Sequence, residues 1–449
     1  MTLVSTENTT EDTARTEAAP HPLRAEFLRG FAPWASGAVL LTLAVALAVP
    51  SESWQGGWKE TRDQVHTAAH LLGVPLALAA GCWQGGRERR RRTEELMATA
   101  VRGSLARFLA SALPVALWMA VGHLVAVAFA LLATWYRATG DSPYPLVPLV
   151  DTVVVGCAAL AGHVVGRVLS WRLTAPLLAV AAYVTLGVLS YGQAGALGHL
   201  SPLANDAGHK VPVWWQPLAA ATWMGGLAVA AVLVHAARRR ATALLPLAAA
   251  LAAGALLLQT GDGLTRTNPV ARHQVCDTST TPQVCVNARH EKLLPQITQA
   301  LSGLTGRLEG VQNLPVRFED RPGRPRKDEV ELPMLTPLGS SVVRGRLTDP
   351  EQYAWEAGMT LIGRAWCDRT DPVVSRTDQA VEHYLAPSPA EAYFDERYAR
   401  GSKADRAAVK DRQQARARLL AMDDDKRRAW LSEYFATADK CEPSEVPAL

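Results

Sequence analysis

The sequence lacks the common signatures of nucleotide hydrolysis and of several hydrolase families. No Gly-Lys dipeptide occurs in its 449 residues, which excludes a Walker A phosphate loop. The motifs H-E-x-x-H, G-x-S-x-G and S-x-x-K are also absent, and they mark the most common metalloproteases, esterases and penicillin-binding enzymes. We therefore expect that the chain is not an enzyme, and that any ATP hydrolysis it depends on belongs to a separate polypeptide.

A strong excess of one charge is also missing. The chain has 46 Lys and Arg residues against 42 Asp and Glu residues, a formal net charge of +4. Nucleic-acid-binding domains carry a basic face, whereas the arginines here cluster in short links between apolar segments. We therefore expect no nucleic-acid partner, and we interpret the basic clusters as markers of membrane topology.

Long apolar segments dominate the first half of the chain. A helix needs about 20 apolar residues to cross the ~30 Å hydrocarbon core of a bilayer. The sequence predicts an all-α polytopic membrane bundle of about seven transmembrane helices in contact with the lipid bilayer. The predicted spans are residues 31–49, 65–83, 107–133, 146–168, 173–191, 214–236 and 241–259.

Composition divides the chain into four parts. Residues 1–24 have no apolar run and are expected to form a disordered cytoplasmic tail. Residues 25–240 hold six spans, residues 241–259 hold the seventh, and residues 260–449 are charged and soluble in character. Helical periodicity and short extended pieces predict that this last part is an α+β domain. The expected helices are 289–308, 350–366, 376–385 and 404–437, and the expected strands lie around 314–318 and 330–334.

The basic residues predict the orientation of the chain in a cell membrane. Arginines cluster at 87–92 after the second span, at Arg167 and Arg172 around the link between the fourth and fifth, and at 238–240 between the sixth and seventh. The intervening links carry few cations. Under the positive-inside rule the basic links and the N-terminus are cytoplasmic. Seven crossings then place residues 260–449 outside the cytoplasm.

The cysteines agree with that orientation. Cys82 and Cys157 lie within predicted spans, and we interpret them as packing residues. An even number of cysteines in an extracytoplasmic domain predicts two disulfides, for which three pairings exist. The four cysteines concerned are Cys276, Cys285, Cys367 and Cys441. Pairing of the first two is favoured because the residues between them suit a turn between short extended arms, and this leaves the last two to pair.

Four histidines in predicted spans are candidates for an intramembrane polar site, since ionisable groups are costly in a bilayer. They are His66, His70, His123 and His163. The first two have i, i+4 spacing, which suits a metal or haem. No Cys, Asp or Glu lies close enough in sequence to complete such a site. We therefore expect histidines that hydrogen-bond neighbouring helices, with no metal and no cofactor.

The link between the second and third spans predicts a cytoplasmic amphipathic helix. Thr93 suits a helix N-cap, and Glu94 and Glu95 suit the positive N-terminal end of a helix. The segment from Arg92 to Ala100 resembles the coupling helix of ABC-2-type transporter permeases, with Arg92 where that family usually has Gly and Ala100 where it often has Pro. In such permeases this helix docks on the ATPase subunit.

The resemblance covers about residues 25–240 and implies a six-span permease. The seventh span and the C-terminal domain go beyond this pattern and are similar to uncharacterised actinobacterial membrane proteins. The resemblance implies an exporter subunit that works with a separate ABC ATPase and with a second permease copy or paralogue as a dimer. The residues implied to couple to the ATPase are Arg92, Thr93, Glu94, Glu95, Leu96 and Arg102.

Two other functions stay open at this point. The bundle is also suited to anchor an extracytoplasmic sensor or interaction domain. Alternatively, the histidines make the chain a haem- or metal-binding membrane protein. The sequence does not determine the substrate or the direction of transport.

Overall fold

The computed structural model describes residues 27, 30–91, 103–138, 142–169, 171–191, 195–203, 210–321, 323–335, 342–364, 367 and 371–449. The predicted N-terminal tail and the predicted coupling segment, 92–102, lie outside these residues. The described part of the chain is mostly helical.

The first half of the chain forms a helical bundle. Each of the seven predicted spans is helical, and their helices are α1 Ala32–Ala48, α2 Trp58–Gly85, α3 Ser104–Trp135, α4 Leu146–Val168, α5 Thr174–Tyr191, α6 Gln216–Ala236 and α7 Arg240–Leu264. Among the described residues, five of these helices are long and apolar enough to cross a membrane, and α1 and α5 are apolar but shorter.

Large apolar side chains cover the outside of this bundle. Leu41 is 65 % exposed, Phe129 66 % and Leu245 80 %. Soluble monomers rarely expose contiguous apolar surface on this scale, because the transfer of apolar surface out of water is favourable and such a surface associates with a partner or a membrane. The exposed faces are therefore those of a membrane-embedded protein, with the lipid tails as the missing contact.

Glycines set a close helix contact in the described part of the bundle. Helices α2 and α4 run in the same direction, and each has two glycines four residues apart at the contact, Gly81 and Gly85 on α2 and Gly162 and Gly166 on α4. A Cβ atom added at Gly162 would lie only 2.0 Å from the carbonyl oxygen of Leu78. Small residues at this spacing let two helix backbones approach closely in a membrane.

The second half folds as the predicted α+β domain. Strands β1 Lys210–Pro212 and β2 Thr265–Thr267 pair with each other at its junction with the bundle. A four-stranded sheet follows, in the order β3-β4-β5-β6, with β3 antiparallel to β4 and the other neighbours parallel. The remaining strands, β7 and β8, form a short antiparallel pair. The ranges are β3 Gln274–Asp277, β4 Gln283–Asn287, β5 Arg317–Glu319, β6 Glu329–Glu331, β7 Val342–Val343 and β8 Arg346–Leu347.

Six α-helices complete the described part of the domain. Helix α8 buries Ile297, Leu301 and Leu304, whose spacing places them on one face toward the core that also holds Phe318 and Tyr353. The helices are α8 Leu294–Arg307, α9 Pro350–Ile362, α10 Pro372–Leu385, α11 Glu391–Ala399, α12 Lys403–Leu420 and α13 Asp424–Ala436.

Two details of this domain differ from the sequence prediction. The helix expected at 404–437 is two helices, because Asp423 caps a new helix through the amide of Lys426. Helix α11 was not predicted from the sequence. None of the nine residues of this fully described helix is buried, so it lacks the apolar periodicity on which the prediction depends.

Disulfides join the two cysteine pairs that the sequence favours. Cys276 and Cys285 are directly opposed on β3 and β4, and Cys367 is bonded to Cys441 near the C-terminus. Cys82 and Cys157, both within the described residues, form no disulfide. Disulfides of this kind are typical of an extracytoplasmic domain.

The disulfide-bonded domain lies at one end of the bundle. The guanidinium of buried Arg289 donates to the carboxylate of Glu60, at the start of α2, over 3.1 Å. The ammonium of Lys292 donates to the carbonyl of Ala138, just after α3, over 3.3 Å. The basic links that follow α2, α4 and α6 lie at the opposite ends of their helices. The fold thus separates the two features from which the sequence predicts orientation.

Candidate polar site in the helical bundle

Helix α2 changes its winding where two predicted site residues lie. Its first eleven residues are mostly polar, and residues Ala69–Gly73 then form a π-helical turn before the regular, apolar helix resumes. His66 lies just before this turn and His70 lies within it. A π-turn inserts an extra residue per turn and is often found at functional sites, because it re-aims side chains that a regular helix would direct elsewhere.

Asp151 of helix α4 brings the two histidines together. The Nδ1 atom of His66 lies 2.8 Å and 3.0 Å from the two oxygens of Asp151, and the Nε2 atom of His70 lies 3.0 Å from one of them. Asp151 and His70 are almost fully buried, with side-chain exposures of 2 % and 1 %. We call His66, His70 and Asp151 the His–Asp cluster.

The second nitrogen of His66 determines its protonation pattern. Its Nε2 atom lies 2.7 Å from the carbonyl oxygen of Pro202, which can only accept, so this nitrogen donates a hydrogen. In the neutral ring, Nδ1 then carries no hydrogen, and its lone pair faces the carboxylate of Asp151. A lone pair on Nδ1 and a carboxylate oxygen repel each other at 2.8 Å unless a positive ion lies between them. His66 and Asp151 therefore share either a proton or a metal ion.

The cluster lines a cavity of about 110 Å³ between α2, α4, α6 and the β1–β2 pair. Asp151 is the sixth residue of α4, so the cluster lies about 8 Å from the start of that helix, on the side of the disulfide-bonded domain. The other charged residues of the lining are Arg62, Asp63 and Lys210. With Asp151, the lining has two cations and two carboxylates before the histidines are counted.

Contacts within the protein restrain Arg62 at the cavity wall. Its Nε atom lies 3.5 Å from a carboxylate oxygen of Asp63, and its guanidinium lies 5.2 Å from the ring centre of Tyr144. Asp63 also accepts from Lys59 at 2.5 Å. The positive charge of Arg62 is thus stabilised by the carboxylate of Asp63 and by the aromatic face of Tyr144.

The other two predicted histidines lie apart from this cluster. His123 of α3 bonds through Nδ1 to the hydroxyl of Thr152, the residue next to Asp151, at 2.9 Å. His163 lies twelve residues further along α4 and bonds to the hydroxyl of Ser111 at 3.1 Å. Each links two helices, as the sequence predicts for all four histidines.

Asp151 is the residue that the sequence reasoning missed. Asp151 lies 81 positions beyond His70, so no spacing along the chain connects it with the histidines. The signal was present nonetheless: a carboxylate within an apolar segment is costly and is a functional candidate by default. The glycine pairs of α2 and α4 also indicate that these two helices pack directly together.

The predicted ATPase-coupling residues, Arg92 to Leu96 and Arg102, lie outside the described residues, and their role stays a prediction. Comparisons of the chain with protein-family models, with curated proteins and with solved structures find no match. The case for function therefore depends on the site.

Proposed function

We propose that the protein is the membrane-spanning, solute-binding subunit of a transporter, with the His–Asp cluster at its binding centre. The observation that carries this proposal is the buried carboxylate of Asp151, held by two histidines in a cavity between helices. Ionisable groups inside a membrane bundle are expensive to bury, and they mark ion and substrate pathways. A site between bundle helices is also where ligands commonly bind.

The arrangement of the bundle supports a pathway rather than a passive anchor. An anchor needs only apolar helices, whereas this bundle buries Asp151, His70 and Arg62 at one end. An apolar groove that shares Val154 and Met224 with the cavity continues along α2, α4 and α6. A polar pocket joined to an apolar helix seam is suited to a change in helix packing.

We propose a membrane topology in which the basic links and the disulfide-bonded domain lie on opposite sides. All seven apolar helices cross the cell membrane, the N-terminus and the basic links are cytoplasmic, and residues 260–449 lie outside. The cavity then opens toward the extracytoplasmic side, beneath the disulfide-bonded domain. Energy for transport comes from a separate ATPase that docks on segment 92–102.

A change in the accessibility of the cavity tests the proposal without knowledge of the substrate. Thr67 lines the cavity beside the cluster. We expect Thr67→Cys, in a Cys82→Ala and Cys157→Ala background, to react with an impermeant thiol reagent from the extracytoplasmic side in energy-depleted vesicles. Energising the vesicles with ATP should shift that reactivity toward the cytoplasmic side, because a transporter exposes its site alternately.

Leu117→Cys in the same background is the control. Leu117 is 45 % exposed on the lipid-facing surface of α3, so a charged reagent should not modify it in either condition. Reactivity of Thr67→Cys from one side only, unchanged by ATP, would contradict a transporter and favour a membrane-anchored sensor.

A further inference from the structure

We infer that the His–Asp cluster is a binding site for a divalent first-row transition metal ion. The inference deepens the proposed function by naming a substrate class, and it rests on that function only for the role of the metal as cargo. The sequence led us to expect no metal, because no third ligand was apparent. Among the described residues, the cluster unites two imidazoles and a carboxylate whose ligand atoms all lie within 4.8 Å of one another.

The donor set selects the class of ion. Imidazole nitrogens suit Zn²⁺, Cu²⁺, Fe²⁺ and Ni²⁺, whereas Na⁺, Mg²⁺ and Ca²⁺ prefer oxygen ligands. A tetrahedral zinc site with bonds of about 2.0 Å separates its ligand atoms by roughly 3.3 Å. The nitrogen–oxygen separations in the cluster are 2.8–3.0 Å, so each histidine needs to move away from Asp151 by only roughly 0.4 Å.

The hydrogen bond from His66 to Pro202 is typical of a metal ligand. Metal-binding histidines usually donate their other ring hydrogen to a carbonyl or a carboxylate, which fixes the tautomer and directs the free lone pair at the ion. His66 has this arrangement, with Nε2 on the carbonyl of Pro202 and Nδ1 toward Asp151.

The remaining groups of the cavity fit a bound metal with an open position. Three protein ligands leave a fourth position on a four-coordinate ion, which water or an anion fills. Arg62 and Lys210 lie in the same cavity lining, and they would attract an anionic fourth ligand. Asp63, at 3.5 Å from Arg62, offsets part of the cationic charge that would otherwise repel the metal.

Metal binding to the full-length protein in detergent tests the inference. After removal of any affinity tag, we expect the wild type to bind one Zn²⁺ per chain in equilibrium dialysis. Co²⁺ used in place of Zn²⁺ should give visible absorption bands of a histidine-bound ion. Asp151→Asn keeps the shape of the side chain but removes the charge, and both it and His66→Gln should weaken binding by more than the roughly 10–100-fold that loss of an outer-shell partner costs.

His235→Gln is the matched control, because His235 is an exposed histidine at the end of α6 and should not change the affinity. Unchanged elution and melting of each variant show that loss of binding is not loss of folding. If the wild type binds no metal, or if Asp151→Asn binds as tightly as the wild type, the cluster holds only a proton. Since this measurement needs no transport, and the accessibility of Thr67→Cys needs no metal, either proposal can fail alone.

Discussion

Ion pairs, rather than buried apolar side chains, hold helix α11 on the disulfide-bonded domain. Asp395 accepts from Arg412 at 3.1 Å and from Arg416 at 2.9 Å, both on α12. Glu391, at the start of α11, lies 2.5 Å from Arg416 and 3.0 Å from His383. Exposed or half-buried pairs of this kind contribute only about 0.2–1 kcal/mol each, so this helix should be the first part of the domain to open.

Acid should release helix α11. Partial burial raises the pKa of Asp395, but the hydrogen bonds and charges of Arg412 and Arg416 outweigh it and hold the pKa below its ordinary value. The unfolded-state pKa is about 3.9, so the carboxylate stabilises the folded state above about pH 4 and loses that contribution as the pH falls through its folded-state pKa.

Hydrogen exchange measures this effect. The protection of the amides of Glu391–Ala399, corrected for intrinsic rates, should change little between pH 6 and pH 4 and should fall as the pH is lowered from 4 to 2. Asp395→Asn should cost about 1 kcal/mol at pH 6 and flatten the dependence on pH. Asp439→Asn removes an exposed carboxylate of the same domain, and it should change neither the protection of α11 at pH 6 nor its dependence on pH. A wild-type helix that is equally protected at pH 6 and pH 2 would show that other contacts hold it.

At the scale of elements, the contact between α2 and α4 creates the polar site. The glycines of both helices let the two backbones touch, and Asp151 thereby reaches His66 and His70. A larger residue at that contact has no flexible neighbour to displace, since the atoms it meets belong to the partner backbone. Helix separation is then the only relief.

Gly162→Leu should therefore disrupt both the bundle and the site. Overpacking costs about 1–3 kcal/mol, and we expect a lower melting temperature of the purified protein together with loss of Co²⁺ binding. Gly187→Leu is the matched control, because no described atom outside its own helix lies within 4 Å of a Cβ atom at that position. Equal effects of the two substitutions would contradict the assigned contact.

At the scale of the whole molecule, the features that indicate the two sides of a membrane lie at opposite ends of the fold. The disulfide-bonded domain contacts the start of α2 and the end of α3, and the basic links follow α2, α4 and α6. In the proposed topology the basic end is cytoplasmic, and an ATPase partner would bind there, at residues 92–102 between α2 and α3.

Charge reversal in that segment tests the partner. If Glu94 and Glu95 face basic groups on an ATPase, then Glu94→Lys with Glu95→Lys places like charges together and should cost several kcal/mol of binding. We expect normal membrane insertion but no co-purified ATPase.

The control for this experiment is Glu52→Lys with Glu309→Lys, two exposed positions in the described part of the chain. Glu60 is unsuitable as a control because it pairs with Arg289. The coupling assignment would be refuted if the Glu94→Lys, Glu95→Lys variant bound the ATPase as well as the wild type does. It would also be refuted if no ATPase co-purified with the wild type.

The sequence alone determined what depends on local composition and spacing. Apolar runs predicted the helices of the bundle, and Leu146–Val168 matches its predicted bounds. Apolar periodicity predicted the α+β domain, since such patterns report which face of an element is buried.

Only the tertiary structure decided what depends on contacts between distant segments. Asp151 meets His66 because glycines allow α2 and α4 to touch, and α11 stays on the domain because Arg412 and Arg416 pair with Asp395. Such contacts leave no periodic pattern, because each depends on a single pair of residues that the fold brings together.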